Sequence, residues 1–319
     1  MKIYLPRRPL AVRREARCGV LMDRHALESF VKAGAIAAET RRESERLVKE
    51  GLGFLDLCEK VEALIRQKGG QPAFPCNLCV NEVAAHDTAE PEDARVVAPR
   101  SVVKLDIGVH VDGFIADTAL TVALDDRHEQ LRRAVEQALA EAVKAMEPAV
   151  PANSVGKLIQ ESLRKTGFKP IWNLTGHEVG RYVIHAGFSI PNVSEGEKRK
   201  LEAGKVYAVE PFATTPNGAG EVSAMPEARI FRCTQYRRQR DEDEDLLLRA
   251  LWEERRTLPF AERWLTGLLP RDRFHEAWER LKARGLIKCY QVLRESRGGL
   301  VAQAEHTVLI EERGARVLT

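Results

Sequence analysis

Residues 102–123 read VVKLDIGVHVDGFIADTALTVA, two apolar runs that each enclose one aspartate, Asp106 in the first and Asp117 in the second. Asp112-Gly113, between the runs, is a signal for a two-residue hairpin turn. Such a turn sets the register and places Asp117 opposite Gly108, so Asp106 and Asp117 project from one face as diagonal neighbours. We therefore predict a hairpin whose two carboxylates, about 7–8 Å apart at Cα, converge on one cation.

Two glutamates share this unusual apolar placement. Glu210 follows the run Val206–Val209, and Glu305 lies in the segment Ala302–Val308. A single such acid is explained equally well by a salt bridge or an exposed edge, but four together are hard to explain in this way. Four ionised carboxylates balance two divalent cations, and a neutral histidine completes the ligand shell without changing that balance. The sequence therefore indicates a metal site.

Three histidines are candidates for this site, namely His86, His177 and His185. Eight residues separate His177 from His185, which corresponds to about 26 Å along a strand or about 12 Å along a helix. Both can ligate one metal only if the chain bends sharply at Gly180, so we expect one of them to contact substrate instead. The remaining histidines are interpreted as structural residues: His25, His110, His128, His275 and His306.

The chain outside the hairpin reads as two similar halves. Helical patterns cover Arg24–Glu50 and a second helix ending before Gly69 in the first half, and a stripe over Leu131–Met146 followed by a shorter helix in the second. A shift of 98 residues aligns six positions of one half with six of the other: Leu57, Val61, Ile65, Gly69, Pro72 and Phe74 with Val155, Ile159, Leu163, Gly167, Pro170 and Trp172. Strands are predicted over Val102–Val109, Phe114–Val122, Val206–Phe212 and Val308–Ile310. We predict an α+β fold in which two similar halves share a central sheet.

A block of different character interrupts the second half. It begins with the charged run RRQRDEDED at 237–245 and continues with helices near 246–256, 260–265 and 271–284. Two β-like runs follow at 286–293 and 299–304, so that three helices and a hairpin resemble a winged helix. Acidic residues oppose the basic ones, and no basic face indicates a DNA reader. We interpret the block as an inserted lid or pocket wall.

Composition limits the classes of protein to which the chain can belong. The 319 residues carry 50 Lys plus Arg against 47 Asp plus Glu, a net charge of +3, with 44% hydrophobic residues. This is typical of a globular protein and gives no general case for nucleic-acid binding, and no stretch is long and apolar enough to predict a membrane span. Six cysteines without a regular framework suit the cytoplasm. Cys76 and Cys79 lack the second pair of a zinc site, so buried free thiols are expected, a disulfide requiring an unusually oxidising cytosol.

The N-terminal residues 1–21 are basic and contain no apolar core of a signal peptide. Asp23 can cap a helix directly after Met22, which makes Met22 a candidate translation start. We predict that residues 1–21 form a poorly ordered extension.

The candidate ligands occur in the order Asp106, Asp117, His177, Glu210 and Glu305. Together with the strings KLDIG, GFIADT, IHAG and QAEHT, beginning at residues 104, 113, 184 and 303, this order resembles the methionine aminopeptidases of the pita-bread metallopeptidase family. The resemblance runs from about residue 25 to the C-terminus, and the helical block is similar to the insertion of the archaeal and eukaryotic type 2 enzymes.

This resemblance implies a pita-bread fold of two similar α+β halves around a central curved antiparallel sheet, with an inserted winged-helix-like helical subdomain. The corresponding boundaries are 1–21 for the extension, 22–235 plus 298–319 for the catalytic domain and 236–297 for the insertion. The implied activity is removal of the initiator methionine from nascent proteins with a small second residue, by attack of a hydroxide held between two divalent metal ions.

The resemblance also implies residue roles. Asp106 would bind one metal, His177 and Glu210 the other, and Asp117 and Glu305 would bridge both. Glu210 would accept and later donate a proton, and His86 and His185 would contact the substrate. Phe74, Ile184 and Tyr290 would line the methionine pocket. Such a donor set accepts cobalt, manganese, iron or zinc.

Two other functions stay open. One is a relative acting on X-Pro peptides or creatine-like amidines, against which the type 2 insertion argues. The other is an inactive member that binds RNA or ribosomes, whose usual mark is the loss of metal ligands. The expected partner is the N-terminal methionine of nascent polypeptides, with transient ribosome association left open. We expect a cytoplasmic monomer with no specific DNA partner and no membrane contact.

Overall fold

The computed structural model describes residues 22–319, so the predictions for residues 1–21 concern a segment outside the described part. Within it, helices α1–α6 span Arg24–Leu47, Phe54–Gln67, Glu129–Lys144, Ala152–Lys165, Glu242–Arg255 and Arg271–Ala283. Strands β1–β16 span Gln71–Pro72, Asn77–Val80, Val83–Ala85, Val102–Val111, Phe114–Ala123, Lys169–Pro170, Thr175–Glu178, Ser189–Pro191, Val206–Val209, Phe212–Thr214, Val222–Cys233, Phe260–Ala261, Ile287–Glu295, Val301–Gln303, His306–Ile310 and Ala315–Val317. No helix in this range has both the length and the apolar character needed to cross a bilayer.

The central hairpin is formed by β4 and β5. Asp112 and Gly113 make its turn with φ values of 52° and 85°, and a two-residue hairpin turn requires such positive φ values. Gly108 lies opposite Asp117, and Asp106 lies opposite Ala119. The predicted register is confirmed, and both aspartates belong to the same face of the hairpin.

Helices cover the sheet of each half. Helices α1 and α2 pack with β2, β4 and β5 around a core that includes Leu57, Val61 and Leu105. Helices α3 and α4 pack with β9, β10, β14 and β15 around a second core, which includes Tyr207 and Val308. The Asp23 side chain accepts a hydrogen bond from the Ala26 amide and caps α1 as predicted, although α1 ends at Leu47 and not at Glu50.

The predicted repeat is present in the structure. Each bound of α4 is the corresponding bound of α2 shifted by 98 residues, and the short strands β1 and β6 are related by the same shift. Gly69 and Gly167, which follow the two helices, have φ values of 82° and 85°. Each helix therefore ends with glycine in the left-handed region, a conformation that costs other residues free energy.

The strands pair antiparallel in four sheets. The strand predicted over Val206–Phe212 is interrupted, because β9 ends at Val209 and β10 begins at Phe212 in a different sheet. Pro211 lies at the interruption, and a proline cannot donate to a strand ladder. Glu210 consequently lies in a break between two strands, where its side chain is not one of a regular alternating series.

The predicted insertion packs around a core that includes Leu247, Leu251 and Trp278, together with Phe231 of β11. Its second predicted helix is instead the short strand β12 followed by a 3₁₀ turn over Glu262–Leu265. The predicted hairpin between 286–293 and 299–304 is wrong. Strand β13 pairs with β11 and β3, whereas β14 pairs with β10 in another sheet. The partner of β13 is the long strand β11, which is distant in sequence. Local sequence signals therefore do not reveal this pairing.

Candidate metal centre

One cavity of about 220 Å³ is lined by all ten residues that the sequence predicted for the site. They come from both halves and from the insertion: Phe74, His86, Asp106, Asp117, His177, Ile184, His185, Glu210, Tyr290 and Glu305. Asp106 lies on β4, Asp117 on β5 and His177 on β7, while Glu210 and Glu305 lie in the breaks between consecutive strands. Strands from both halves therefore bring the five candidate ligands to one cavity.

The candidate ligands approach one another closely. Donor atoms of Asp117, His177 and Glu305 all lie within 4.8 Å of one another. The Nε2 atom of His177 lies 3.6 Å from Oε1 of Glu210 and 3.8 Å from Oδ2 of Asp117. Three carboxylates and one imidazole thus form a cluster of the size needed to surround a metal ion.

Several carboxylate oxygens of the candidate ligands are buried without a hydrogen-bond partner among residues 22–319. These atoms are Oδ1 of Asp106, Oδ1 of Asp117 and both Oε atoms of Glu305. Burial raises the pKa of Asp106 to about 7, and burial together with the neighbouring carboxylates raises the pKa of Asp117 and of Glu305 well above their usual range. Buried unpaired oxygens with these properties fit a divalent cation as their partner.

The imidazole of His177 is suited to the same partner. Burial lowers its pKa to about 3, so the ring is neutral near pH 7. A neutral imidazole keeps a lone pair for coordination, as a metal ligand must.

His177 and His185 lie side by side, with ring centroids 4.3 Å apart. The expectation that eight residues keep them apart is wrong, because the chain turns back between Gly180 and Val183. The Gly180 amide donates to the Val183 carbonyl and the Val183 amide donates to the Gly180 carbonyl, with Tyr182 at a φ of 56°. This is the sharp bend at Gly180 that is needed if both histidines are to reach one metal. His177 is buried and His185 is exposed, so the two side chains differ in solvent exposure although they are neighbours.

His86 lines the same cavity and is held against strand β13. Its Nδ1 donates to the Gln291 carbonyl at 3.2 Å, and its ring meets the edge of Tyr290 at a centroid distance of 5.4 Å. Burial lowers the pKa of His86 to about 4. The ring is therefore neutral near pH 7 and presents Nε2 as an acceptor.

Phe74 forms a wall of the cavity and packs directly on Gly108. A Cβ atom at position 108 would lie 2.2 Å from Cε1 of Phe74, so only glycine fits beneath the ring. Tyr290 reaches the cavity on β13, directly opposite Ile230 of β11. The corrected pairing of β13 is thus what brings a residue of the insertion into the site.

Sequence reasoning missed several lining residues, among them Asn77, Asn173, Thr175, Phe212 and Ile230. It also missed Gln303, whose Nε2 donates to Oε2 of Glu210 at 3.3 Å. The signals for Gln303 were its place at the start of the string QAEHT and its spacing of two residues from Glu305, which places both side chains on one face.

A cluster of this kind defines a metallohydrolase, because buried carboxylates beside a neutral imidazole hold divalent cations that activate water. The chain belongs to metallopeptidase family M24, whose sequence model matches residues 28–312.

Comparison with known proteins shows which members of the family this chain is similar to. The methionine aminopeptidase of Methanothermobacter thermautotrophicus is 43% identical over 296 residues, covering 92% of this chain and 98% of the relative. The methionine aminopeptidase of Thermococcus kodakarensis is 45% identical over 293 residues, covering 92% and 99%. Among solved structures, the methionine aminopeptidase of Thermotoga maritima matches with a TM-score of 0.68 and 23% identity, covering 94% of this chain and 98% of that one. The last likeness supports the pita-bread fold.

Proposed function

We propose that this chain is a metal-dependent methionine aminopeptidase, which removes the initiator methionine from nascent proteins whose second residue is small. The observation that carries this proposal is the cluster of unpaired carboxylates and a neutral histidine, which lines one cavity together with apolar side chains. The names of relatives more than 40% identical over most of their length support the same reaction.

Five side chains would hold two divalent ions in this proposal. Asp106 would hold one ion, His177 and Glu210 would hold the other, and Asp117 and Glu305 would contribute to both. Cobalt, manganese, iron and zinc all suit carboxylate and imidazole donors. When bound, the ions lower the pKa of water and polarise the scissile carbonyl.

The chain's own residues handle the protons and the substrate. Glu210 is half-buried, and its Oε2 accepts a hydrogen bond from Gln303, which leaves Oε1 on the side of His177. A carboxylate fixed in this way can take a proton from water and return it to the departing amine. His86 offers Nε2 as an acceptor to the substrate amide nitrogen, and the exposed His185 contacts the peptide from the other side.

Phe74, Ile184 and Tyr290 form the pocket for the methionine side chain. Apolar walls suit an unbranched thioether, which fills irregular space at little cost. Tyr290 comes from the insertion 236–297, so the insertion serves the catalytic domain, 22–235 plus 298–319, as a pocket wall. Its arginines support this role over DNA binding, since Arg280 and Arg284 both pair with Glu244.

The proposed substrate indicates where in the cell the enzyme would act. Nascent chains emerge in the cytoplasm, where we expect the enzyme to act as a monomer; transient ribosome association stays open.

A peptide series tests the proposal. With cobalt or manganese, Met-Gly-Met-Met is expected to be cleaved far better than the same peptide with Lys, Phe or Glu second, because His86 and His185 crowd a bulky second residue. Cleavage of Ala-Pro peptides instead would favour the X-Pro alternative. Binding of RNA without cleavage of any peptide would favour the inactive one.

A further inference from the structure

A seam of threonine hydroxyls joins the two halves directly behind the candidate ligands. Strand β5 belongs to the first half, and residues 303–307 belong to the second, more than 180 positions later in the chain. One isolated bridge, between Ala119 and Glu305, links the two segments through their main chains. On both sides of that bridge, side-chain hydroxyls take the place of main-chain partners.

Thr307 provides the hydrogen-bond partner of both main-chain groups of Asp117, the amide and the carbonyl. Its hydroxyl accepts from the Asp117 amide at 2.6 Å and donates to the Asp117 carbonyl at 2.7 Å. Thr121 does the same for Gln303, accepting from its amide at 2.9 Å and donating to its carbonyl at 2.7 Å. One hydroxyl can serve both groups because it is a donor and an acceptor at once.

The bridge between these two contacts is reinforced as well. The Glu305 amide donates to the Ala119 carbonyl at 3.1 Å. The Glu305 carbonyl accepts from the Thr118 hydroxyl at 2.9 Å and from Arg41 of α1 at 3.4 Å. The pairs 117/307, 119/305 and 121/303 are in antiparallel register, so the seam follows the path of a strand ladder.

Each contact of the seam fixes the backbone of a residue in the metal cluster or beside it. Asp117 and Glu305 are candidate bridging ligands, and Gln303 holds Glu210. All three threonines are at most 3% exposed, so water does not compete for these bonds. Buried carboxylates repel one another when no cation is bound, so ligands from two halves need a restraint that holds them together beforehand.

We propose that Thr307, Thr118 and Thr121 are positioning residues that preset the ligands Asp117 and Glu305, together with Gln303, for metal binding across the junction of the two halves. This inference rests on the proposed function only in taking the cluster to bind divalent cations. Loss of the Thr307 hydroxyl leaves two buried main-chain groups of Asp117 without a partner, and that ligand can then shift.

The test measures binding of Mn²⁺ to metal-free protein by titration calorimetry. Thr307→Val keeps shape and volume, and its dissociation constant is expected to rise at least ~10-fold, as for other partners that orient metal ligands. Thr307→Ser restores the hydroxyl and is expected to bind nearly as wild type does.

Thr40→Val is the matched control. Thr40 is a fully buried threonine whose hydroxyl has no partner within the described residues, so the same substitution there removes no contact. Its affinity for Mn²⁺ is expected to equal that of wild type. If Thr307→Val does not fold, Thr118→Val provides the test, because Arg41 still holds the same carbonyl. Weaker binding than in the control is again expected.

The outcomes separate this inference from the proposed function. The inference about the threonine seam alone is overturned if wild type binds Mn²⁺ and Thr307→Val binds it equally well. The same holds if Thr307→Val loses no more affinity than Thr40→Val. Wild type that binds Mn²⁺ and depends on the seam, but cleaves no methionyl peptide, overturns the proposed activity alone. Wild type that binds no divalent metal overturns both.

Discussion

His177 and His185 lie with their ring centroids 4.3 Å apart, yet only one of them faces the carboxylates at close range. The Nε2 atom of His177 is within 4.0 Å of both Asp117 and Glu210 and is buried, whereas the ring of His185 is exposed. Two rings in contact therefore have different surroundings, which supports the proposal that His177 binds metal and His185 contacts substrate.

Alanine substitutions of the two histidines are expected to have different effects. His177→Ala should lose bound metal, because a ligand is removed. His185→Ala should keep both ions and lower kcat/KM roughly 10-fold, the loss of one hydrogen bond of about 1.4 kcal/mol. Elemental analysis and steady-state kinetics on both variants provide the check. Metal loss in His185→Ala but not in His177→Ala would reverse the assignment.

Gly108→Ala is expected to disturb the methionine pocket. The added Cβ would lie 2.2 Å from Phe74, so the ring must move into the cavity. Overpacking of this kind costs about 1–3 kcal/mol, and we expect KM for Met-Gly-Met-Met to rise on the order of 10-fold with bound metal unchanged. Gly53→Ala is the control, since its Cβ would meet nothing closer than 3.7 Å. Equal KM values for the two variants would contradict the role of Phe74.

The local parts of this site were predictable from sequence. The turn at Asp112-Gly113 determines the β4–β5 register, because two residues with positive φ leave one way to pair the strands. The repeat was visible for a similar reason, since α2 and α4 carry the same apolar spacing and the same terminal glycine. These features depend on residues close together in the chain.

The parts that depend on distant partners were not predictable. Strand β13 pairs with β11 and β3, and no pattern within 286–304 distinguishes this pairing from a hairpin. Two main-chain hydrogen bonds hold the bend between Gly180 and Val183, whereas the sequence is compatible with a bend and with a straight segment. The threonine seam joins residues more than 180 positions apart, and each threonine by itself is typical of an ordinary strand.

Arg263→Met is expected to weaken attachment of the insertion to the first half. Arg263 pairs with Glu62 of α2, both at most 8% exposed, and the neighbouring Trp264 indole also donates to Glu62 at 2.7 Å. Removing one partner of a buried pair costs about 3–5 kcal/mol. Urea unfolding measures this loss.

The exposed pair Arg273–Asp243 provides the comparison within the same insertion. Arg273→Met is expected to cost under about 1 kcal/mol, because solvent screens that pair. Equal losses in the two variants would show that the Glu62–Arg263 contact has no special role.

Acidic pH is expected to destabilise the protein through His110. Burial and nearby Arg255 lower its pKa to about 4, and its Nδ1 accepts from the Gly113 amide at 3.2 Å. The unfolded chain, with an ordinary histidine pKa near 6.5, binds the proton first, so stability is full above that pH and is lost as the pH falls towards 4.

His110→Asn keeps an acceptor for Gly113 but does not titrate. Between pH 7 and pH 5, metal-free wild type should lose about 2 kcal/mol more free energy of unfolding than the variant. Comparing the two proteins in urea cancels the opposite contribution of the buried carboxylates. Identical pH dependence in both would contradict the role of His110.

Titration of metal-free protein with Mn²⁺, with bound metal and hydrolysis of Met-Gly-Met-Met followed in the same samples, tests whether five side chains hold the ions on which peptide cleavage depends. These side chains are Asp106, Asp117, His177, Glu210 and Glu305. We predict no cleavage before metal is added, activity that rises as the ions bind, and no recovery in Asp106→Asn or Glu305→Gln at the same Mn²⁺ concentration. Cleavage at the wild-type rate by protein shown to contain no metal would contradict the account.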